Sequence, residues 1–217
     1  MSKPQVAVIL AGNGVYDGSE IHEATMTLYA IVKNGGDYHI FAPDVEQHHV
    51  INHLTGEEMP EKRSVLVESA RIARGQIKDL KELNVSDFDA LMLPGGFGVA
   101  KNLSNFAFKG TEMTVLKTFE KVVLDFVNQS KPIGALCISP AIVAKILEGP
   151  TVTIGQDNDT IIAIESMGGK HQKTDHGEVI VDAKYKLATT PCYMLDATIA
   201  EIGDGAQNVV KAVFEML

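Results

Sequence analysis

The chain has 217 residues, of which 45% are hydrophobic and 22% are charged, a composition typical of a globular protein with a sizeable core. Its formal net charge is −9 and it contains no run of basic residues, so nucleic acid and anionic membranes are not expected as partners. No apolar run approaches the roughly 20 residues that a membrane span needs, and the first residues lack the layout of a signal peptide.

The start of the chain predicts a strand, a helix and a second strand. Residues 6–11 form a continuous apolar run typical of a strand buried on both faces. Ser19 is the expected N-cap of the following helix, and Gly35 is its expected stop. Residues 38–42 predict the second strand. This order indicates a parallel sheet with helices on both faces.

The loop after the first strand contains Gly12, Gly14 and Gly18. Their spacing is G-x-G-x-x-x-G, one residue longer than the dinucleotide-binding fingerprint, and the loop is too long for the tight turn of that motif. No nucleotide cofactor is therefore expected. The glycines are interpreted as positions where the backbone passes close to a pocket.

Residues 45–62 are interpreted as irregular, with a helix predicted over residues 65–74. His49 and His53 would have the spacing of metal ligands on a helix. The β-branched residues between them disfavour a helix, and no carboxylate or thiol completes a ligand set. No metal site is expected.

A third buried strand is predicted over residues 90–93, and it ends in Pro94-Gly-Gly-Phe-Gly98. Two glycines at the carboxyl end of a strand allow a backbone N–H to face outward, which suits an oxyanion site. An ordinary loop would also use this pair of glycines. A helix is predicted next, over residues 114–128.

Residues 132–136 predict a buried strand that runs directly into Cys137. Ile138, Ser139 and Pro140 follow, and then an apolar helical pattern. A small nucleophile at a sharp strand-to-helix turn is a nucleophile elbow, and the N-terminus of the next helix favours the thiolate. The competing interpretation is a cysteine that only fills the core.

The rest of the chain predicts a strand over residues 151–154, a helix over 160–167, a hairpin of strands 178–182 and 186–190, and helices over 194–202 and 206–217. No linker or repeat interrupts the pattern, so a single α/β domain over residues 1–217 is expected. Cys137 and Cys192 form no disulfide framework, which predicts free thiols and a cytoplasmic location.

Three segments together carry a resemblance to a known family: Gly18-Ser-Glu-Ile-His-Glu23, Pro94-Gly-Gly-Phe-Gly-Val-Ala-Lys-Asn-Leu-Ser-Asn-Phe106 and Cys137-Ile-Ser-Pro140. Residues 50–56 add a fourth. Over essentially its whole length the chain resembles the ElbB family (glyoxalase ElbB, also called enhancing lycopene biosynthesis protein), which belongs to the PfpI-like superfamily related to class I glutamine amidotransferases. The resemblance implies a flavodoxin-like three-layer α/β sandwich with a mostly parallel sheet, and a homodimer.

The resemblance also implies roles for individual residues. Cys137 matches the reactive cysteine of the superfamily, and Glu23 matches the carboxylate that touches this cysteine in the parkinsonism-associated deglycase branch. Gly96 and Ile138 match the N–H donors of the oxyanion hole. The catalytic histidine of the protease and amidotransferase branches has no counterpart, because Ile138 follows the nucleophile. Amide hydrolysis would then lack its general acid. By residue type alone, Glu23 could simply complement the helix dipole.

A thiolate and one carboxylate suffice for aldehyde chemistry, so the expected activity is conversion of glyoxal to glycolate by Cys137 and Glu23, with no cofactor. Three alternatives remain. Cys137 could serve a redox-sensing role, the chain could be a partner-binding subunit with a vestigial site, or a histidine from elsewhere in the chain could complete a glutaminase triad.

Overall fold

The computed structural model describes residues 3–217. Within them, strands and helices alternate along most of the chain. The strands are β1 (Gln5–Ile9), β2 (Asp37–Ala42), β3 (Ile77–Asp79), β4 (Ala90–Leu93), β5 (Ile133–Leu136), β6 (Thr151–Val152), β7 (Lys170–His171), β8 (Ile180–Asp182) and β9 (Leu187–Thr190). The helices are α1 (Ile21–Lys33), α2 (Val65–Ile72), α3 (Phe97–Lys101), α4 (Phe106–Lys109), α5 (Lys117–Asn128), α6 (Ser139–Ile146), α7 (Asn158–Ser166) and α8 (Ile199–Glu215).

Seven of the strands form one sheet in the order β3-β2-β1-β4-β5-β9-β8. All neighbouring pairs are parallel except β8 and β9, which form the predicted antiparallel hairpin. The short strands β6 and β7 pair separately. Because β1, β4, β5 and β9 lie side by side and run in the same direction, the loops at their carboxyl ends meet at one edge of the sheet.

Helices cover both faces of this sheet. Ala7 and Ile9 of β1 face one layer, in which α5, α6 and α7 pack, whereas Val6 and Val8 face the other layer, in which α1, α2 and α8 pack. Side chains alternate across a strand, so a strand that is buried on both faces reads as a continuous apolar run. The predicted three-layer α/β fold with a mostly parallel sheet is confirmed. In the part of the chain that the structure describes, no helix combines the length and the apolar character that crossing a membrane requires.

The N-cap of α1 differs from the prediction. Glu20 caps this helix, and its carboxylate accepts a hydrogen bond of 2.7 Å from the N–H of Glu23. The predicted cap, Ser19, instead accepts a hydrogen bond from the N–H of Ala11 through its hydroxyl oxygen at 2.8 Å. The Ser19 side chain therefore binds the backbone just after β1, and Glu20, the next residue in the chain, is the N-cap of α1. Gly35 follows the end of the helix at φ +88°, as expected.

The C-terminal region is one long helix, where two were predicted. Met194, the first residue of the first predicted helix, lies in a 3-10 turn, Cys192–Met194. The helix α8 begins at Ile199 and continues through Gly203 and Gly205. A Cβ at Gly205 would lie 3.2 Å from the sulfur of Cys192, so the glycine allows α8 to pack closely against the end of β9. The short strands β3 and β7 were not predicted.

Candidate active site

The predicted turn between β5 and α6 is present, and Cys137 occupies it. Its φ of +60° lies in the left-handed region, which is rare for a residue other than glycine. The N–H of Cys137 donates to the carbonyl of Thr190 on β9 at 3.0 Å. The hydroxyl of Ser139 donates to the carbonyl of Pro94 at 2.9 Å, which ties the elbow to the loop after β4. The cysteine is 7% exposed.

Glu23 lies in the first turn of α1 and is fully buried. One oxygen, Oε2, accepts a hydrogen bond of 2.9 Å from the N–H of Gly95, and Oε1 accepts one of 3.2 Å from the N–H of Tyr193. The carboxyl group therefore joins α1 to the loops after β4 and β9, next to the elbow. A glutamate that only complements the helix dipole could do so while exposed to solvent, so that role does not explain why Glu23 is buried.

The loop after β4 can approach the elbow only because it contains two glycines. A Cβ at Gly95 would lie 2.5 Å from the Cβ of Cys137, 2.7 Å from Oε2 of Glu23 and 3.0 Å from the sulfur of Cys137. Gly96 has φ +99°, and a Cβ there would lie 2.3 Å from the backbone nitrogen of Glu20. The N–H of Gly96 acts on the Cys137 sulfur in the direction that lowers the pKa of the thiol.

Glu23 and Cys137 are two acids in one buried site. The pKa of Glu23 is raised to about 8, first by burial and second by the Glu20 carboxylate, while its hydrogen bonds act in the opposite direction. Burial also raises the pKa of the Cys137 thiol, and the charge of Glu23 adds to this effect. The Gly96 N–H opposes the rise because it stabilises the thiolate. The pair therefore strongly disfavours carrying two negative charges at once.

A cavity of about 340 Å³ opens beside the elbow, and its lining includes Gly96, Cys137 and Ile138. Glu23 lies behind this wall, buried beside Cys137. The structure thus brings all four sequence-predicted site residues to one place. A larger cavity of about 470 Å³ lies at the opposite edge of the sheet, beside Pro4, and none of these four residues lines it.

The glycine-rich loop after β1 supports this site from the side. The N–H of Gly98 in α3 donates to the carbonyl of Gly18 at 2.8 Å. The side-chain amide of Asn102 donates to the carbonyls of Ala11 and Asp17, both at 2.9 Å. The glycines thus allow close packing of two loops, in agreement with the interpretation of the sequence.

The histidines are placed away from the cysteine. His53 accepts a hydrogen bond from the N–H of Tyr16, and His171 accepts one from the N–H of Ile154. His49 lies in an irregular segment, as predicted. His22, on α1, forms a hydrogen bond of 2.7 Å with the hydroxyl of Tyr193. No hydrogen bond joins a histidine to Cys137 in residues 3–217.

Sequence reasoning missed two residues of the site. Tyr193 contributes its N–H to Glu23 and part of the cavity wall, and Asp157, the N-cap of α7, also lines the cavity. Tyr193 lies in a 3-10 turn, directly before the helix that was predicted over residues 194–202. The one signal in the sequence is that Tyr193 follows β9, the strand next to β5, so that it lies at the same edge of the sheet as the elbow.

Comparison with known proteins identifies the family of the chain. A family model described as the DJ-1/PfpI family matches residues 5–197. The chain belongs to the DJ-1/PfpI family. This family lies within the class I glutamine amidotransferase-like superfamily, as the sequence resemblance implied.

Similar proteins span nearly the whole chain. A human protein named glutamine amidotransferase-like class 1 domain-containing protein 3, mitochondrial, is 45% identical over 98% of this chain and 83% of its own length. The rat protein named ES1 protein homolog, mitochondrial, is 44% identical over 99% of this chain and 84% of its own. A crystal structure of an isoprenoid biosynthesis protein with an amidotransferase-like domain from Ehrlichia chaffeensis has a TM-score of 0.92 at 38% identity, covering 98% of this chain and all of that one.

A more distant structure, glyoxalase III from Candida albicans, has a TM-score of 0.63 at 14% identity and covers 99% of this chain and 97% of its own. At this identity it demonstrates a shared fold alone.

The predicted cytoplasmic location is corrected by these comparisons, because the human and rat relatives are named mitochondrial. Free cysteines argue against an oxidising compartment, but they do not distinguish one reducing compartment from another.

Proposed function

We propose that this protein is a cofactor-independent glyoxalase of the ElbB type, which converts glyoxal and related 2-oxoaldehydes to 2-hydroxy acids. The observation that carries the proposal is the buried pair of Cys137 and Glu23 beside Gly95, in which Cys137 lines a cavity and Glu23 lies behind it. A nucleophile and a buried carboxyl group of raised pKa are the two groups that this conversion requires.

In the first step the reactive form of the pair has lost one of its two protons, and the thiolate of Cys137 adds to the aldehyde carbon. The resulting alkoxide is stabilised by the N–H groups of Gly96 and Ile138. Removal of one such donor typically raises the activation free energy by about 3 kcal/mol. The alkoxide then takes the proton of the Glu23 carboxyl group, so a neutral hemithioacetal forms and Glu23 becomes a carboxylate.

In the second step the Glu23 carboxylate removes the proton from the former aldehyde carbon, and an enediolate forms. Glu23 returns this proton to the neighbouring carbon, while the hydroxyl proton on the former aldehyde carbon moves to the oxygen of the neighbouring carbon, which leaves a 2-hydroxy thioester on Cys137. Water then cleaves the thioester, which releases the hydroxy acid and the thiol. The overall balance is one 2-oxoaldehyde and one water to one 2-hydroxy acid, with no net oxidation or reduction.

The fold is compatible with this reaction class, since a Candida albicans structure of the same fold is named glyoxalase III. The cavity supports an enzyme over a partner-binding subunit with a vestigial site, because Cys137 lines it. A glutaminase would need a histidine beside the cysteine. Only a measurement of turnover distinguishes catalysis from the redox-sensing alternative, because reactive cysteines oxidise whether or not they catalyse.

The test is steady-state kinetics on glyoxal, methylglyoxal and glutamine. Cys137→Ala and Glu23→Gln should each reduce aldehyde turnover to background. Cys192→Ala serves as the matched control, because Cys192 is a second buried free cysteine outside the elbow, and it should keep turnover within about threefold of the parent. Full glyoxal turnover by Cys137→Ala, or turnover of glutamine alone, would rule the proposal out.

A further inference from the structure

The cavity at Cys137 is larger than glyoxal requires. At about 340 Å³ it has room for about ten water molecules, taking ~30 Å³ for each. Glyoxal has only four non-hydrogen atoms, so it would leave most of this space unfilled. A substrate that fills the cavity therefore carries a substituent on the carbon next to the aldehyde.

The walls of the cavity combine the elbow with a mostly apolar lining. Cys137, Gly96 and Ile138 form one part of the lining, and Asp157, Thr160 and Tyr193 are its other polar members. The remaining lining residues are apolar: Val15, Phe97, Ala100, Phe106, Ala107 and Met194. These side chains come from the loop after β1, from α3 and α4, and from the turn after β9. The walls contain no lysine or arginine, so a substituent that carries a phosphate or carboxylate group would find no counter-charge.

We infer that the preferred substrate is a 2-oxoaldehyde with an apolar, uncharged substituent of the size of a phenyl or branched alkyl group. This inference rests on the proposed function and names its substrate class. The Cys137 thiolate attacks the aldehyde carbon as before, Glu23 moves the proton to the substituted carbon, and water releases the corresponding 2-hydroxy acid. Each buried CH₂ group contributes about 0.8 kcal/mol, which corresponds to roughly a fourfold gain in affinity.

The first experiment compares kcat/KM for glyoxal, methylglyoxal and phenylglyoxal. The expected values rise along the series, with phenylglyoxal at least about tenfold above glyoxal. Ala107→Phe, which places a ring in the apolar part of the cavity, should lower the ratio of phenylglyoxal to glyoxal at least tenfold. Ala200→Phe is the matched control, since Ala200 is exposed on α8 and does not line the cavity, and it should leave the ratio unchanged.

The second experiment does not depend on turnover. Cys137 is alkylated with iodoacetamide in the presence of 2-hydroxyacetophenone or hydroxyacetone, two neutral ketones that differ by phenyl and methyl, and its labelling is followed by peptide mass spectrometry. The inference is supported if 2-hydroxyacetophenone protects Cys137 from alkylation at a concentration at least tenfold lower than hydroxyacetone does. Equal protection by the two ketones overturns it.

The two experiments separate the inference from the proposed function. Cys137-dependent turnover of glyoxal and phenylglyoxal at equal kcat/KM would overturn the inference and leave the function in place. Absence of turnover with every aldehyde would overturn the proposed function, and with it the assignment of these aldehydes as substrates. Selective protection by the phenyl compound would still support an apolar subsite.

Discussion

The Glu23 carboxyl group accepts a hydrogen bond of 2.9 Å from the N–H of Gly95, a residue that is 72 positions away in the chain. The same glycine leaves room for the sulfur of Cys137, since a Cβ at this position would lie 3.0 Å from that sulfur. One residue without a side chain therefore positions the carboxyl group and admits the thiol beside it. Four predictions follow from this contact and from the segments around it.

Replacing Gly95 with alanine should displace the catalytic pair. The added methyl group would meet both Cys137 and Glu23 at distances shorter than van der Waals contact. A displacement of about 1 Å can cost on the order of 100-fold in rate, so aldehyde turnover should fall by about that factor. The control is Gly203→Ala, where the methyl group meets only Met26 at 3.8 Å. It should keep its turnover and gain up to about 1 kcal/mol of stability, because alanine favours a helix interior. Equal turnover in the two variants would contradict this assignment.

Alkylation of Cys137 should follow pH in two steps. The thiol and the Glu23 carboxyl group interact directly, so the pair loses its protons at two separate pH values and each loss raises the amount of thiolate. In Glu23→Gln only the thiol titrates, and a single step should remain. The measurement is the rate of reaction with iodoacetamide between pH 5 and 10. Two steps in the variant would show that another group is coupled to the cysteine.

Stability should fall as pH rises through the range in which Glu23 ionises. The pKa of this group is raised from 4.5 to about 8 in the folded protein, so between these values the folded state binds more protons than the unfolded state. The stabilisation is fully present below pH 4.5 and is lost as pH rises to about 8. The loss is on the order of 4 kcal/mol. Urea unfolding at pH 5 and pH 8 measures it.

The control for this pH dependence is Glu23→Gln, which should show a much smaller difference between pH 5 and pH 8. Its absolute stability should be lower at pH 5, because the Gly95 and Tyr193 N–H groups donate to different oxygens of Glu23, and the NH₂ group that replaces one oxygen in glutamine cannot accept a hydrogen bond. If the parent and the variant lose the same stability between these pH values, Glu23 is not the group responsible.

Removal of the Asn102 side chain should loosen the loop after β1. Its amide group donates to two carbonyls of that loop, and its carbonyl oxygen accepts a hydrogen bond of 2.9 Å from the N–H of His48. Asn102→Ala leaves three backbone groups without this partner, so the free energy of unfolding should fall by about 2 kcal/mol. Asn208→Ala removes one exposed hydrogen bond, to the carbonyl of Gly177, and should cost less than about 1 kcal/mol. Similar losses in the two variants would refute the bridging role.

The sequence predicted the fold well where a segment is buried on both faces. β1, β4 and β5 were located to within two residues because strands of this kind carry a continuous apolar signal. The short strands β3 and β7 carry no such signal, since their residues are polar or only partly buried. The single helix α8 was predicted as two, separated by residues 203–205, which include two glycines that disfavour a helix; in the structure α8 continues through them, and Gly205 packs against Cys192.

The sequence by itself determined the elbow, because a strand, a small nucleophile and a helix that begins with Ser139-Pro140 are contiguous in the chain. Resemblance to a family then singled out Glu23. The tertiary structure alone decided that this carboxyl group is buried beside the sulfur, that Tyr193 holds it, and that no histidine of the described residues hydrogen-bonds to the cysteine. The reason is physical: burial and hydrogen bonding set the pKa of both acids, and they come from segments that are distant in sequence.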